Sequence, residues 1–325
     1  MNLFSRSLTF VYRRFGLNFN EQIKKEQVRQ FNVLSKEASN EYFKKIIDSD
    51  KPALLSRLGT PESDGLLNYL QVISVRNNNI LKKYHAIFKG NKPYWDSHVK
   101  MNLYNLVGFF PTTNEKLLEF AALYANKIKN IDGIGVWGFV PGENFIIRRY
   151  CLNSVKYNPV VLDPYFFDSP WTYGLKNKRV LVIHPFVDSI KNQFVKRELL
   201  FNNKKILPEF ELLTIKAVQS IAGNKTPFAN WFEALEFMKS QIATLDFDIA
   251  LIGAGSYGLP LASHIKDLGK CAIHMGGSLQ ILFGIKGKRW DEHPPTAALY
   301  NEYWVRPDKN ELVPNTNIVE GGCYW

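Results

Sequence analysis

Between Asp248 and Trp290 the chain reads DIALIGAGSYGLPLASHIKDLGKCAIHMGGSLQILFGIKGKRW, and few folds accommodate such a stretch. The apolar run Ile249–Ile252 is short and β-branched enough to be a buried strand. Gly253-Ala254-Gly255-Ser256-Tyr257-Gly258 follows, a G-x-G-x-x-G between that strand and the helical pattern Leu259–Leu268. Glycines in this position permit a tight turn and let backbone N–H groups approach a diphosphate at the helix N-terminus. After Gly269 a second strand, Cys271–Met275, ends in His274 and Met275. A second small-residue turn, Gly276-Gly277-Ser278, then opens another helix. Two such junctions in succession demand a parallel sheet and set two rows of amide donors on its carboxyl edge. Lys286, Lys288 and Arg289 supply cations beyond them, so the stretch is expected to hold a nucleotide diphosphate. A nicotinamide cofactor would want an acidic residue about 20 positions on, and the strand ends His274-Met275-Gly276 instead.

The rest of the chain repeats this alternation. Glu21–Asp48 reads as helix and Ala53–Leu58 as a buried strand that runs into Arg57-Leu58-Gly59-Thr60-Pro61-Glu62-Ser63-Asp64. Thr60 suits a helix N-cap, Pro61 the first helical position and Glu62 the first turn. Capping leaves Arg57 and Asp64 unexplained, so Arg57, Glu62 and Asp64 are candidates for a polar site at a strand's carboxyl end. Helix is expected over Asn114–Lys129 and strand over Gly133–Phe139. Pro141-Gly142-Glu143-Asn144 opens a further helix, where Glu143 serves either the helix dipole or the same cleft. Val160–Phe166 and Val180–His184 read as strands, with Asp188 or Ser189 capping a helix through Phe201. His184 then faces the crevice or bonds a neighbouring loop. Glu211–Val218 is expected as strand, Phe228–Thr244 as helix and Phe247–Gly253 as strand.

Strands alternating with helices from Leu54 to Met275 imply an α/β fold: a doubly wound, mainly parallel, Rossmann-like sheet flanked by helices. Residues 1–50 would form a helical N-terminal extension and 51–290 a single α/β catalytic domain. The aromatic-rich tail 291–325 would wrap it. The net charge of +11 favours polyanionic partners, nucleotide diphosphates and anionic lipid surfaces among them. The cations are dispersed and no nucleic-acid-binding module is recognisable, so no nucleic acid is expected. Cys151, Cys271 and Cys323 are too few and too scattered for a disulfide framework or zinc site, which fits a cytoplasmic protein. At the start, Leu3, Phe4, Leu8, Val11, Tyr12 and Phe15 can share a helical face bordered by Arg6, Arg13 and Arg14. Two readings stay open there: an anchor lying peripherally on the inner membrane leaflet, or a helix packed on the body.

Arg57-Leu58-Gly59-x-x-Glu62 resembles the Arg-Phe-Gly-Asp-Gly-Glu segment of GT-D type bacterial glycosyltransferases. Ile252-Gly253-x-Gly255, followed by Leu259–Leu268, Gly269 and Ile273-His274-Met275-Gly276, resembles that family's second signature, in the same order. The resemblance implies a nucleotide-sugar donor, a glycan or lipid-linked glycan acceptor, and a part in surface polysaccharide or glycan biosynthesis. It also implies an Asp-x-Glu motif tied to a divalent ion, Mn²⁺ or Mg²⁺. Here Thr60 replaces the Asp and only Glu62 matches, with Asp64 as a substitute two residues on, so no metal ligand is assigned.

On this reading Glu62 takes the acceptor proton, with Arg57 and Asp64 beside it. Gly59, Gly253, Gly255, Ser256, Tyr257, Gly258, His274, Gly276, Gly277 and Ser278 line the donor, with Lys286, Lys288 and Arg289 supporting its charge. Glu143, Asn144 and His184 are secondary candidates. Two alternatives stand beside it: a non-catalytic membrane-associated polysaccharide assembly factor, and an NAD(P)-dependent oxidoreductase.

Overall fold

The computed structural model describes residues 31–76 and 93–325. Seven parallel strands form one sheet: β1 Ala53–Arg57, β2 Gly133–Gly135, β3 Val155–Tyr157, β4 Arg179–His184, β5 Glu211–Lys216, β6 Ile249–Ile252 and β7 Cys271–His274. Their spatial order is β3-β2-β1-β7-β6-β4-β5. Parallel strands covered on both faces need apolar residues on both, and the two cores divide alternate residues accordingly. Leu54, Leu181, Ile183, Ala250 and Ile252 face one core, while Leu55, Val180, Val182, Ile249 and Leu251 face the other.

Eight helices of eight residues or more are described: α1 Lys36–Asp48, α2 Thr60–Val75, α3 Ser97–Asn105, α4 Asn114–Lys127, α5 Glu143–Tyr150, α6 Val187–Val195, α7 Trp231–Ala243 and α8 Gly258–Asp267. The first core takes its apolar faces from α2 to α5, α7 and α8; α1 and α6 cover the other through Phe43, Ile47 and Ile190. Phe43 sits edge-on to Tyr157, with ring centroids 4.9 Å apart, so α1 is part of the packed body. No described helix is long and apolar enough to cross a membrane. The expected amphipathic helix at the N-terminus lies outside the described residues.

Several boundaries differ from the sequence reading. The first described helix begins at Lys36, because the Ser35 side chain accepts the Ala38 amide and caps it. Gly59, not Thr60, is the N-cap of α2, and it offers no side chain to do the capping. Pairing of β2 stops at Gly135, since Gly138 turns the chain with φ +80°. Val160–Phe166 is two short 3₁₀ turns: Pro159 and Pro164 lack the N–H a ladder needs. The strand there is β3, three residues long, paired with β2 at Gly133↔Val155. Neither Asp188 nor Ser189 caps α6. Both their amides donate to the buried Glu311 carboxylate, Asp188 at 2.8 Å, so a tail residue does the capping across 123 positions.

Chain direction sets where a ligand can enter. The connection after β4 leads outward to β5, whereas the connection after β6 leads the other way to β7. Between the tips of such strands no crossover covers the crevice, which is where open parallel sheets bind ligands.

Candidate functional site

A cavity of about 580 Å³ opens at that edge. Its walls come from the carboxyl ends of six strands: Arg57–Glu62 after β1, Trp137 and Phe139 after β2, His184–Phe186 after β4, Ala217–Ile221 after β5, Gly253–Gly255 after β6 and Met275–Ser278 after β7. Residues two hundred positions apart meet here because every strand points the same way.

The β1 junction holds the least satisfied groups. Glu62 sits in the first turn of α2, and one of its oxygens, Oε2, is buried without a hydrogen-bond partner. Burial pushes the carboxyl above its ordinary pKa, against an opposing pull from the Arg57 guanidinium. Arg57 ends β1, and among the described residues its guanidinium makes neither a hydrogen bond nor an ion pair. The space for this pair is kept by two glycines. A Cβ on Gly59 would overlap the Glu62 carboxylate and lie 3.2 Å from Arg57 Nη1, and a Cβ on Gly276 would overlap the same guanidinium.

The glycine turns are part cradle and part masonry. The Gly253 amide donates to Ile183 O at 2.9 Å, that of Tyr257 to Ala254 O at 3.1 Å and that of Gly276 to Ile252 O at 3.1 Å. None of these three is left for a ligand through its N–H. The amides of Ala254, Gly255, Ser256, Gly277 and Ser278 have no acceptor among the described residues. Gly255 is held at φ +52°, a left-handed conformation only glycine adopts freely. Gly253 is small because its Cβ would meet Gly276 O at 2.7 Å, and Gly258 because His274 fills the space above it. Trp290 and Tyr324 pack on Gly277, so the second turn is roofed by aromatic side chains.

Other expected residues stand elsewhere. His274 lies behind the sheet edge, its Nδ1 3.1 Å from Ser56 Oγ, and burial lowers its pKa to about 3. The Ser256 hydroxyl accepts from Trp231 Nε1 at 2.9 Å and donates to Val107 O at 2.7 Å, so its side chain is spent on structure. Tyr257, by contrast, lines the cavity, and its ring stacks on Trp231 7° from parallel. Asp64 lies off the cavity, its pKa raised by burial and eased by His98. Lys286 rests over the Tyr300 ring at 5.2 Å and Lys288 donates to Gly321 O at 3.1 Å; neither lines the cavity. Arg289 alone of that trio does, paired with Glu320 and 4.9 Å above Tyr324.

Both histidine options hold for His184. It lines the cavity and its Nδ1 accepts the Phe186 amide at 3.0 Å, which leaves the proton on Nε2. Burial lowers its pKa to about 3, so it is a neutral donor and adds no charge. Glu143 and Asn144 do not reach the cavity. Glu143 is fully buried and accepts the Trp137 and Gly138 amides at 3.1 and 2.9 Å. Trp137, Phe139, Asp163 and Gln219 are among the wall residues that the sequence reading does not single out. Trp137 and Phe139 fall within the expected strand Gly133–Phe139, but β2 ends at Gly135 and Gly138 turns the chain between them. Asp163 is raised in pKa by burial and bonded to Tyr165 and Ser278. Gln219 carries no local signal at all.

The divalent ion that the family resemblance implies does not fit this donor set. Three carboxylates line the cavity, but Glu62 stands against a guanidinium, Asp163 is engaged by Tyr165 and Ser278, and Glu320 is paired with Arg289. Among the described residues no three His, Cys, Asp or Glu side chains converge. Hard cations want several oxygen ligands without a cation between them.

Comparison of the chain with protein-family models, with curated proteins and with solved structures returns no match.

Proposed function

We propose that the protein is a glycosyltransferase that moves a sugar from a nucleotide-diphosphate donor to the hydroxyl of a glycan acceptor. One observation carries the reading: a buried carboxylate oxygen without a partner, Glu62 Oε2, shares a cavity with an unpaired guanidinium, Arg57, and two turns of unpaired amides. A buried group left unsatisfied costs about 1–3 kcal/mol, and such a cost is retained where a ligand repays it.

The chemistry follows from that arrangement. The diphosphate lies against the amides of Ala254–Ser256 and Gly277–Ser278, with Arg57 and Arg289 facing its charge. The acceptor oxygen bonds to the anomeric carbon while its proton passes to Glu62. The bond from that carbon to the phosphate oxygen breaks, and its electron pair leaves with the nucleoside diphosphate. Amides fixed beforehand stabilise the developing charge without reorganising. Burial of Glu62 makes its carboxylate the stronger base once ionised, so the acidic limb of the rate profile should lie above the ordinary glutamate range of about 4.3. A cytoplasmic enzyme of surface polysaccharide or glycan biosynthesis is the setting this chemistry suits.

Thermal shift with UDP-, GDP-, CMP- and dTDP-sugars, each with and without Mn²⁺, tests the donor. A shift with one diphosphate donor that persists in chelator is expected. No shift with any of them refutes the proposal.

A further inference from the structure

We propose that the outer face of α5, with the turn that follows it, rests on an anionic lipid surface. Phe145, Arg148, Arg149 and Leu152 fall at i, i+3, i+4 and i+7, one stripe of the helix carried into the next turn. The opposite stripe does the packing, since Glu143, Ile146 and Ile147 have no exposed surface. The solvent side of a helix ordinarily carries polar residues throughout. Here it sets two arginines between a phenyl ring and a leucine, and Phe145 is 49% and Leu152 59% exposed. The cations are held in place without being neutralised. Arg148 lies 5.7 Å from the centre of the Phe31 ring and Arg149 5.6 Å from that of Tyr150, and among the described residues neither pairs with a carboxylate.

Charge and the course of the chain select a lipid surface over a protein partner. No Asp or Glu occurs between Asn144 and Leu162, so the face offers cations and apolar groups together. Anionic headgroups over acyl chains match that combination. Phe31, where the described chain begins, lies against the same face. The thirty residues before it carry Arg6, Arg13 and Arg14 among apolar residues from Leu3 to Phe15, with no acid before Glu21. A second cationic, apolar sequence is therefore tethered to this side of the molecule, and a weak lipid contact becomes firm when a second accompanies it. α5 starts three residues after Val140, which lines the cavity, and at 1.5 Å per residue its eight residues keep the docked face within roughly 12 Å of the cavity wall. A lipid-borne acceptor would enter from that side, but the docking does not depend on what the cavity binds.

Co-sedimentation of the full-length protein with large unilamellar vesicles tests this, using phosphatidylcholine alone and phosphatidylcholine mixed equally with phosphatidylglycerol. Binding to the mixed vesicles that weakens with salt, and none to phosphatidylcholine, is expected. Arg148→Glu combined with Arg149→Glu should weaken it about tenfold or more, and Phe145→Ser combined with Leu152→Ser about fivefold. Val195→Ser, at an exposed apolar residue ending α6, should leave it unchanged. All these variants should keep the wild-type Tm, because the substituted side chains lie on the outside. No binding by the wild-type protein, equal binding to phosphatidylcholine alone, or unchanged binding by either paired variant overturns the docking face. A Tm several degrees lower in the Phe145→Ser, Leu152→Ser variant overturns it too and gives the stripe to the N-terminal sequence as a covered surface. Failure of every nucleotide sugar to shift the Tm leaves the docking standing and removes the glycosyltransferase reading instead.

Discussion

Two junctions in this molecule are built alike and end differently. After β1 the chain runs Gly59-Thr60-Pro61-Glu62 into α2; after β2 it runs Val140-Pro141-Gly142-Glu143 into α5. Each puts a glutamate in the first turn of a helix, where the dipole favours it. Burial raises the pKa of both, Glu143 to about 7. Glu143 accepts two backbone amides and lies off the cavity, whereas Glu62 keeps an unpartnered oxygen beside an unpaired arginine within it. Residue type, helix position and burial are therefore silent about role. Hydrogen-bond satisfaction separates the carboxylate that holds a loop from the one left available to a ligand.

The sharpest way to break that contrast is to neutralise each glutamate. Glu62→Gln should lower turnover by about 10²–10⁴-fold while donor affinity by calorimetry stays within about twofold; retained turnover would remove Glu62 from the mechanism. Gly59→Ala comes next. Its methyl must displace the Glu62 carboxylate or Arg57, so turnover should fall at least tenfold in steady-state assays, with a fold intact by circular dichroism.

Glu143→Ala should act on stability instead. Leaving the Trp137 and Gly138 amides buried without an acceptor costs about 2 kcal/mol or more, read as a lower midpoint in urea. Glu143→Gln should recover part of that loss, since its amide oxygen can still accept one of the two N–H groups. The smallest effect concerns pH. A carboxyl whose folded pKa exceeds its unfolded value stabilises the fold below the unfolded pKa and loses that contribution as pH rises through the folded one. Glu143 should thus cost stability between pH 4.5 and about 7, and Glu143→Gln should flatten the fall of Tm over that window. A slope unchanged in the variant would mean that another group titrates there.

Much of the architecture was readable in the chain. Strands β1, β4, β5, β6 and β7 are apolar runs of four to six residues bounded by glycine, proline or charge. Lengths of that order with β-branched content leave little else for them to be. The three-residue strands β2 and β3 are not legible: the pattern predicts β2 through Phe139 and no strand over Val155–Tyr157. A strand that short is held by its neighbours' ladders rather than by its own pattern, and Lys156 in the middle of β3 hides it further. The glycine motifs correctly marked strand–turn–helix junctions. The same glycines did not tell which amides remain unpaired, because Ile183 O and Ile252 O, which take the Gly253 and Gly276 amides, come from adjacent strands.

By itself, then, the order of residues determined the parallel α/β class and the carboxyl edge as the place where a site would form, since periodicity and turn chemistry are local properties. It also singled out Arg57 and Glu62, as charges out of keeping with an apolar strand and its capped helix. Only the tertiary structure decided that Glu62 lacks a partner while Glu143 has two, that Lys286 and Lys288 face away, and that Trp137, Phe139 and the tail's Tyr324 and Trp325 complete the walls. Satisfaction and proximity are relations between segments far apart in the chain, and no local pattern encodes which distant carbonyl or ring will fill a given space.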